Sequence, residues 1–276
     1  MSFKAHFRVK NQDDKGFKKG NIMVHFVGAG PGAADLITLR GKKLLEEADV
    51  IIYAGSLVNP ELLQYAKSDA VIHDSAKLNL DEVLEIMKKA HTENKTVVRL
   101  HTGDPCIFGA VREQMDLLTD EDIPFDSTPG VSSFCGAAAA LDMEYTLPGI
   151  SQSVIITRID GRTQVPEKES VESFASHGST IVFFLSAGAA EELAERLKKG
   201  GLPGDTPCAI VYKATWDDEE KYVCTIDTLS KTAGEHGINK TALIIVGRAV
   251  SQSGYEKSKL YAPDFTTGFR KGREDA

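Results

Sequence analysis

The sequence predicts an α/β protein of two lobes, the first on a mostly parallel sheet and the second on a mixed one. Three observations carry that prediction. From Met23 onward, apolar β-branched runs alternate with helical patterns, as strand–helix–strand units of a parallel sheet require. Near the middle of the chain Pro148 and Gly149 interrupt the alternation, and strands then outnumber helices. Glycine turns end three strands of the first half, at the positions where α/β sheets bind ligands.

Taken in order, MVHFVGAG is a first strand that runs into the loop Gly28-Ala29-Gly30-Pro31-Gly32-Ala33. TLRGKKLLEEA is a helix with Thr38 as its N-cap, and DVIIYAG is a second strand. LDEVLEIMKKAHTENK places Val83, Leu84 and Met87 on one helical face, and TVVRLHTGD is a strand ending in a glycine turn. After GAVREQMDLLTDED, a short strand at IPFDSTP leads into the small-residue helix SSFCGAAAALD. The second half offers strands at SVIITRI, STIVFFL, PCAIVYK, KYVCTI and KTALIIVGRAV. Its helices are AGAAEELAERLKKG and the segment near TLSKTAGEHG. The expected division is a tail over 1–20, a first lobe over 21–147, a second over 148–261 and a polar tail over 262–276.

A formal net charge of −8 leaves no broad positive field for nucleic acid or an anionic membrane, so any anionic ligand must meet a local basic patch. No apolar run approaches the roughly 18 residues of a membrane span, and the first residues lack the apolar stretch of a signal peptide. Cys106, Cys135, Cys208 and Cys224 form no Cys-x-x-Cys pair, which fits reduced thiols in the cytoplasm better than disulfides or zinc. The seven histidines have no metal-ligand spacing.

The first loop formally satisfies Gly-x-Gly-x-x-Gly/Ala with Asp49 about 20 residues on, so a dinucleotide reading is weighed against a purely structural turn. The late helix start at Thr38, the N–H missing at Pro31, and Asp49 at the start of its strand all count against it. In the second loop, His101 to Gly109, Asp104 either caps the following turn, holds a ribose hydroxyl or favours a sulfonium. The third loop, Thr128-Pro129-Gly130-Val131-Ser132-Ser133-Phe134, lets backbone approach a ligand closely. Arg158 and Arg162 beside a glycine turn, with Arg112 and Lys213, are candidates for pairing with a polycarboxylate; a solvated charged hairpin is the alternative. Tyr212 and Trp216 suit a core or a pocket wall equally.

In this order and spacing the loops resemble the tetrapyrrole methylase family, whose signature is a VGAGPG start, a GDP-x-x-FG loop and a PG-V/I-S/T-S loop. The likeness runs from Met23 to about Val250. Within the family, YAGSLVNPELLQYAK, VREQMDLL, PGVSSFCGAAAAL, SQSVIITRIDGRTQVPE and TALIIVGRAV look like the precorrin-4 C(11)-methyltransferases. The resemblance implies a bilobed fold, S-adenosylmethionine held between the lobes, cobalt-precorrin-4 or precorrin-4 as substrate, and a homodimer. Matched residue by residue, it places cofactor contacts on Pro31, Thr102, Gly103, Asp104, Ile107, Ser132 and Ser133. In the second lobe they fall on Leu185, Ala214 and Ala242, with Tyr212 beside them. Thr102 stands for a common glycine and Leu185 for a common methionine. Arg112, Arg158, Arg162 and Lys213 are then the substrate's carboxylate partners. Asp104 or His101 is the candidate for any base. Three rivals are an NAD(P) dehydrogenase, a noncatalytic porphyrinoid carrier, and relatives that methylate ribosomal RNA or a modified histidine.

Overall fold

The computed structural model describes residues 23–161 and 163–273; the expected tail over 1–20 and Arg162 lie outside the described residues. Strands β1 (Val24–Gly28), β2 (Val50–Tyr53), β3 (Val71–Asp74), β4 (Val97–His101) and β5 (Phe125–Thr128) form a wholly parallel sheet in the order β3-β2-β4-β1-β5. Helices α1 (Leu39–Glu47), α2 (Leu80–Thr92) and α3 (Arg112–Asp120) supply three of the crossovers, and a 3-10 segment over Pro60–Tyr65 supplies the one from β2 to β3. Because successive strand residues point to opposite faces, β4 divides its side chains between two cores. Val97 joins Phe26, Met87 and Leu118 on one face, while Val98 and Leu100 join Leu45, Ile51 and Leu62 on the other. The Thr38 hydroxyl accepts from the Gly41 amide at 3.1 Å, so α1 starts where the sequence places its cap. The sequence gives no signal for β3, a four-residue edge strand whose Val71 and Ile72 are exposed.

The second sheet is mixed, as expected. Strands β6 (Val154–Arg158), β7 (Thr180–Phe184), β8 (Pro207–Tyr212), β9 (Glu220–Thr225) and β10 (Ala242–Val246) lie in the order β6-β7-β10-β8-β9. Only β6 and β7 pair in parallel; the other three pairings are antiparallel. Helices α5 (Val171–Ala175), α6 (Ala190–Lys199) and α7 (Leu229–Glu235) cover one face through Val171, Leu193, Leu197 and Leu229. Helix α4 (Ser133–Ala140) covers the other, its Phe134 and Ala137 packing with Val182, Val211 and Leu243. A helix that belongs to the first half of the sequence is thus part of the second lobe's core. The small-residue composition of α4 has a cause in this packing. A Cβ on Gly136 would stand 2.7 Å from the Pro31 side chain, where the lobes meet.

Candidate functional site between the lobes

Three loops converge because glycine removes the side chains that would hold them apart. A Cβ on Gly130 would lie 2.1 Å from the Gly103 carbonyl, and one on Gly28 would lie 2.5 Å from the Gly130 Cα. Gly30 and Gly103 exchange backbone hydrogen bonds of 3.2 and 2.8 Å, and the Ala29 amide donates to the His101 carbonyl at 2.7 Å. Asp104 closes the arrangement: its carboxylate accepts from the Cys106 amide at 2.8 Å and from the Gly130 amide at 2.9 Å. Partial burial alone would raise the Asp104 pKa, but the hydrogen bonds from Cys106 and Gly130 outweigh it and hold the carboxyl below the usual range. A side-chain hydrogen bond from the Cys106 thiol to the Asp104 carboxylate, with desolvation, pushes the thiol up.

The second lobe meets this junction through the segment after β8. The Ala33 amide donates to the Thr215 hydroxyl at 3.0 Å, and Gly32 leaves room for the Trp216 indole, which a Cβ there would meet at 2.2 Å. Across the cleft mouth Phe108 and Phe184 approach to 5.4 Å between ring centroids. The space so enclosed is about 410 Å³, within the range of small-molecule sites.

Ten of the eleven expected cofactor positions line this cleft: Pro31, Thr102, Gly103, Asp104, Ile107, Ser132, Ser133, Leu185, Ala214 and Ala242. The exception is Tyr212, which by strand alternation faces the opposite core with Cys208 and Ile210, while Val211 faces the cleft. Four residues of the wall, Phe108, Leu185, Lys213 and Thr241, hold left-handed backbone with φ between 45° and 55°. Side chains with a Cβ rarely occupy that region, and such strain gathers at ligand sites. Leu185 in that conformation is 67% exposed, an apolar side chain held open to the cavity.

The substrate candidates separate. Lys213 lines the cleft, its ammonium paired with Asp218 at 2.5 Å and 5.3 Å from the Trp216 ring centroid. Arg158 ends β6 and donates to the Thr163 carbonyl at 2.7 Å, outside the lining set. Arg112 pairs with Asp116 on the exposed start of α3 and is likewise outside it. Sequence reasoning missed Ser56 and Leu57 after β2, and Asn239, Lys240 and Thr241 before β10, all of which line the cavity.

His101 and Asp104 are poorly placed as bases. His101 is buried against Phe26 and does not line the cavity, and burial with the nearby Arg99 charge pushes its pKa down to about 3. Asp104 spends its carboxylate on two loop amides. The first loop is equally unsuited to a pyrophosphate, since the Ala29, Gly30 and Ala33 amides are engaged within the protein. Asp49 binds Lys67 and the Thr96 amide at the base of the sheet, far from a ribose-binding position at a strand's carboxyl end.

Residues 23–230 match the family of Tetrapyrrole (Corrin/Porphyrin) Methylases. The chain belongs to the tetrapyrrole methylase family. It is 49% identical over 254 residues to a cobalt-precorrin-4 C(11)-methyltransferase from Methanocaldococcus jannaschii, covering 92% of this chain and 98% of that one. A solved cobalt precorrin-4 methyltransferase superposes with a TM-score of 0.82 at 42% identity, over 85% of this chain and 98% of the other. A uroporphyrin-III C-methyltransferase from Thermus thermophilus, solved with S-adenosyl homocysteine, gives 0.71 at 25% identity, over 84% and 100%. The two-sheet α/β architecture is that of these methylases, and the Rossmann-like spelling of the first loop reflects loop–loop packing. Among the described residues no helix is long and apolar enough to cross a membrane.

Proposed function

We propose that this chain transfers the methyl group of S-adenosylmethionine to C(11) of cobalt-precorrin-4 or precorrin-4. The observation that carries the reading is the cleft itself, in which first-lobe loops and the second-lobe wall bring ten family cofactor positions around one cavity. The groove fits a nucleoside with a short amino-acid tail. Backbone approaches it closely at Gly103, Leu185, Ala214 and Ala242 offer apolar walls, and no side chain caps the first turn of α4 at Ser132.

When bound, S-adenosylmethionine supplies an electrophilic methyl group on a positively charged sulfur. Transfer forms one bond to the ring carbon and breaks one carbon–sulfur bond, whose electron pair stays on sulfur. The positive charge passes to the macrocycle. Any proton then shed goes to solvent, since Asp104 is held by two amides and His101 is buried and outside the cavity lining. The residues of this chain therefore act by holding the reacting atoms in line and by excluding water. Phe108, Leu185 and Leu57 present apolar surface to a macrocycle face, and Lys213 and Lys240 meet its carboxylates at the cleft. Arg158 and Arg162 remain in the reading as contacts for substrate carboxylates that extend beyond the cavity lining; Arg112, paired with Asp116, is the weaker candidate. A homodimer in the cytoplasm completes the reading.

The test is to incubate pure protein with S-adenosylmethionine and precorrin-4, with and without cobalt, and weigh the tetrapyrrole product. A gain of one methyl mass supports the reading and identifies the preferred form. No gain from either form, with tight S-adenosylhomocysteine binding, moves the substrate elsewhere in the family.

A further inference from the structure

Arg99 is buried on β4, 7% exposed, and among the described residues none of its hydrogen-bond partners is a carboxylate. Its guanidinium donates to the Gln114 side-chain oxygen at 3.2 Å, the Ser75 hydroxyl at 3.0 Å and the Ile52 carbonyl at 3.3 Å. A cation taken out of water without a counter-ion is costly and persists where the groups it holds depend on it. Burial lowers the pKa of Arg99 to about 10, which still leaves it charged near neutrality.

What those groups hold is the rim of the cleft. The Gln114 side-chain amide donates to the Ala110 carbonyl at 2.9 Å, and Ala110 and Phe108 both have left-handed backbone, with φ of 49° and 53°. The Ser75 hydroxyl donates to the Tyr53 carbonyl at 3.1 Å, at the end of β2 where the chain turns toward Ser56 and Leu57. One guanidinium thus reaches two separate cavity-lining loops through two relays. The loop over Thr102 to Asp104 has its own anchors in the Gly30–Gly103 bridge and the bond from Gly130 to Asp104.

We propose that Arg99 is a positioning residue, acting through Gln114 and Ser75, that sets the Phe108 and Leu57 loops against the tetrapyrrole while leaving the cofactor loop to its separate anchors. The proposal rests on the reading of the cleft given above. Lysine cannot replace the arginine, because one ammonium on a flexible stem does not span Gln114, Ser75 and Ile52 as a planar fork does.

Two variants separate positioning from plain stability. Gln114→Glu keeps the volume and gives Arg99 a counter-ion, yet removes the donor to the Ala110 carbonyl. Arg99→Lys keeps the charge and loses the fork. For both, the expected result is a roughly tenfold rise in KM for the tetrapyrrole, the order of magnitude of one net hydrogen bond lost from the network that holds the loops. The dissociation constant for S-adenosylhomocysteine stays within twofold, and Gln114→Glu melts no lower than the parent chain. Hydrogen exchange of the 108–111 amides quickens in both variants and that of the 53–57 amides in Arg99→Lys, while the Ala29, Gly30, Gly103 and Cys106 amides keep their protection. Unchanged exchange in these loops, equal loss of both ligands, or a lower melting temperature with KM unaltered overturns the proposal. A parent chain that binds S-adenosylhomocysteine and leaves precorrin-4 unmethylated overturns the substrate reading instead, and the exchange pattern then decides the role of Arg99 alone.

Discussion

Replacing Gly130 with alanine perturbs the junction of the three loops at its tightest point. The added Cβ would stand 2.1 Å from the Gly103 oxygen and 2.7 Å from the Gly28 Cα, both backbone atoms with no rotamer to turn aside. Ordinary contact begins at 3.4 Å, so the loops must part by about 1 Å or more, on the principle that close-packed atoms yield only by moving. Gly130 also donates its amide to Asp104, so the displacement loosens the bond that ties the third loop to the second. Overpacking of this kind costs about 1–3 kcal/mol, which lowers the melting temperature by a few degrees in a chain of this size. The effect on function is larger. A misplacement of about 1 Å in a reaction that depends on alignment costs on the order of a hundredfold in rate. Calorimetric titration with S-adenosylhomocysteine and single-turnover methyl transfer read the two effects, with a thermal melt to show that the fold persists. A Gly130→Ala chain that binds S-adenosylhomocysteine and methylates as the parent does would refute the account of how the site is built.

Gly234 supplies the opposite expectation: it lies within α7, and a Cβ added there would meet nothing within 4 Å, so Gly234→Ala raises stability by about 0.5–1 kcal/mol in a denaturant melt and leaves methylation alone. Asp104→Asn loses one of two accepted amide bonds and lowers stability at neutral pH. Because the folded carboxyl titrates below its unfolded value, that difference is complete above the ordinary carboxylate range and disappears as pH falls through the folded pKa, which paired melts across pH 2 to 7 follow. For His101 the folded pKa of about 3 lies below the unfolded value, so the unfolded chain takes up the proton first and stability falls as pH drops from about 6.5 toward 3. His101→Phe removes that part of the acid sensitivity and keeps kcat within a few-fold; a loss of rate with a changed pH profile would restore His101 as a base. Lys213→Ala and Lys240→Ala raise the tetrapyrrole KM several-fold in steady-state assays, whereas Arg112→Ala, on its exposed helix end, changes it less than twofold.

The elements of both sheets were legible where periodicity was strong. Thr38 marks a helix start through its hydroxyl, and β8 and β10 are continuous apolar runs. Strand β3 was not legible, because four half-exposed edge residues carry neither alternation nor an apolar run. In the site, the glycine loops announced themselves since close backbone approach leaves a compositional trace. Ser56, Leu57, Asn239, Lys240 and Thr241 left none: they belong to the cavity only because two lobes distant in sequence close on it. Tyr212 and His101 fall on the wrong side for one shared reason. On β8, Val211 faces the cleft side and Tyr212 the opposite core; on β4, His101 takes the parity of Val97 and is buried against Phe26, outside the cavity lining. That parity was written in the sequence, but which face carries the ligand was not. Arg112 drew notice as a charge near a glycine turn, and its i,i+4 partner Asp116 supplies the plainer explanation.

The central claim is one methyl group delivered to one ring position by a cleft that works through alignment. Its most direct test is turnover of precorrin-4, with and without cobalt, using S-adenosylmethionine labelled with carbon-13 in the methyl group, followed by NMR of the product. The account predicts a single labelled methyl signal assigned to C(11), at one label per tetrapyrrole. A label at another ring carbon, or on a carboxylate as an ester, would contradict it.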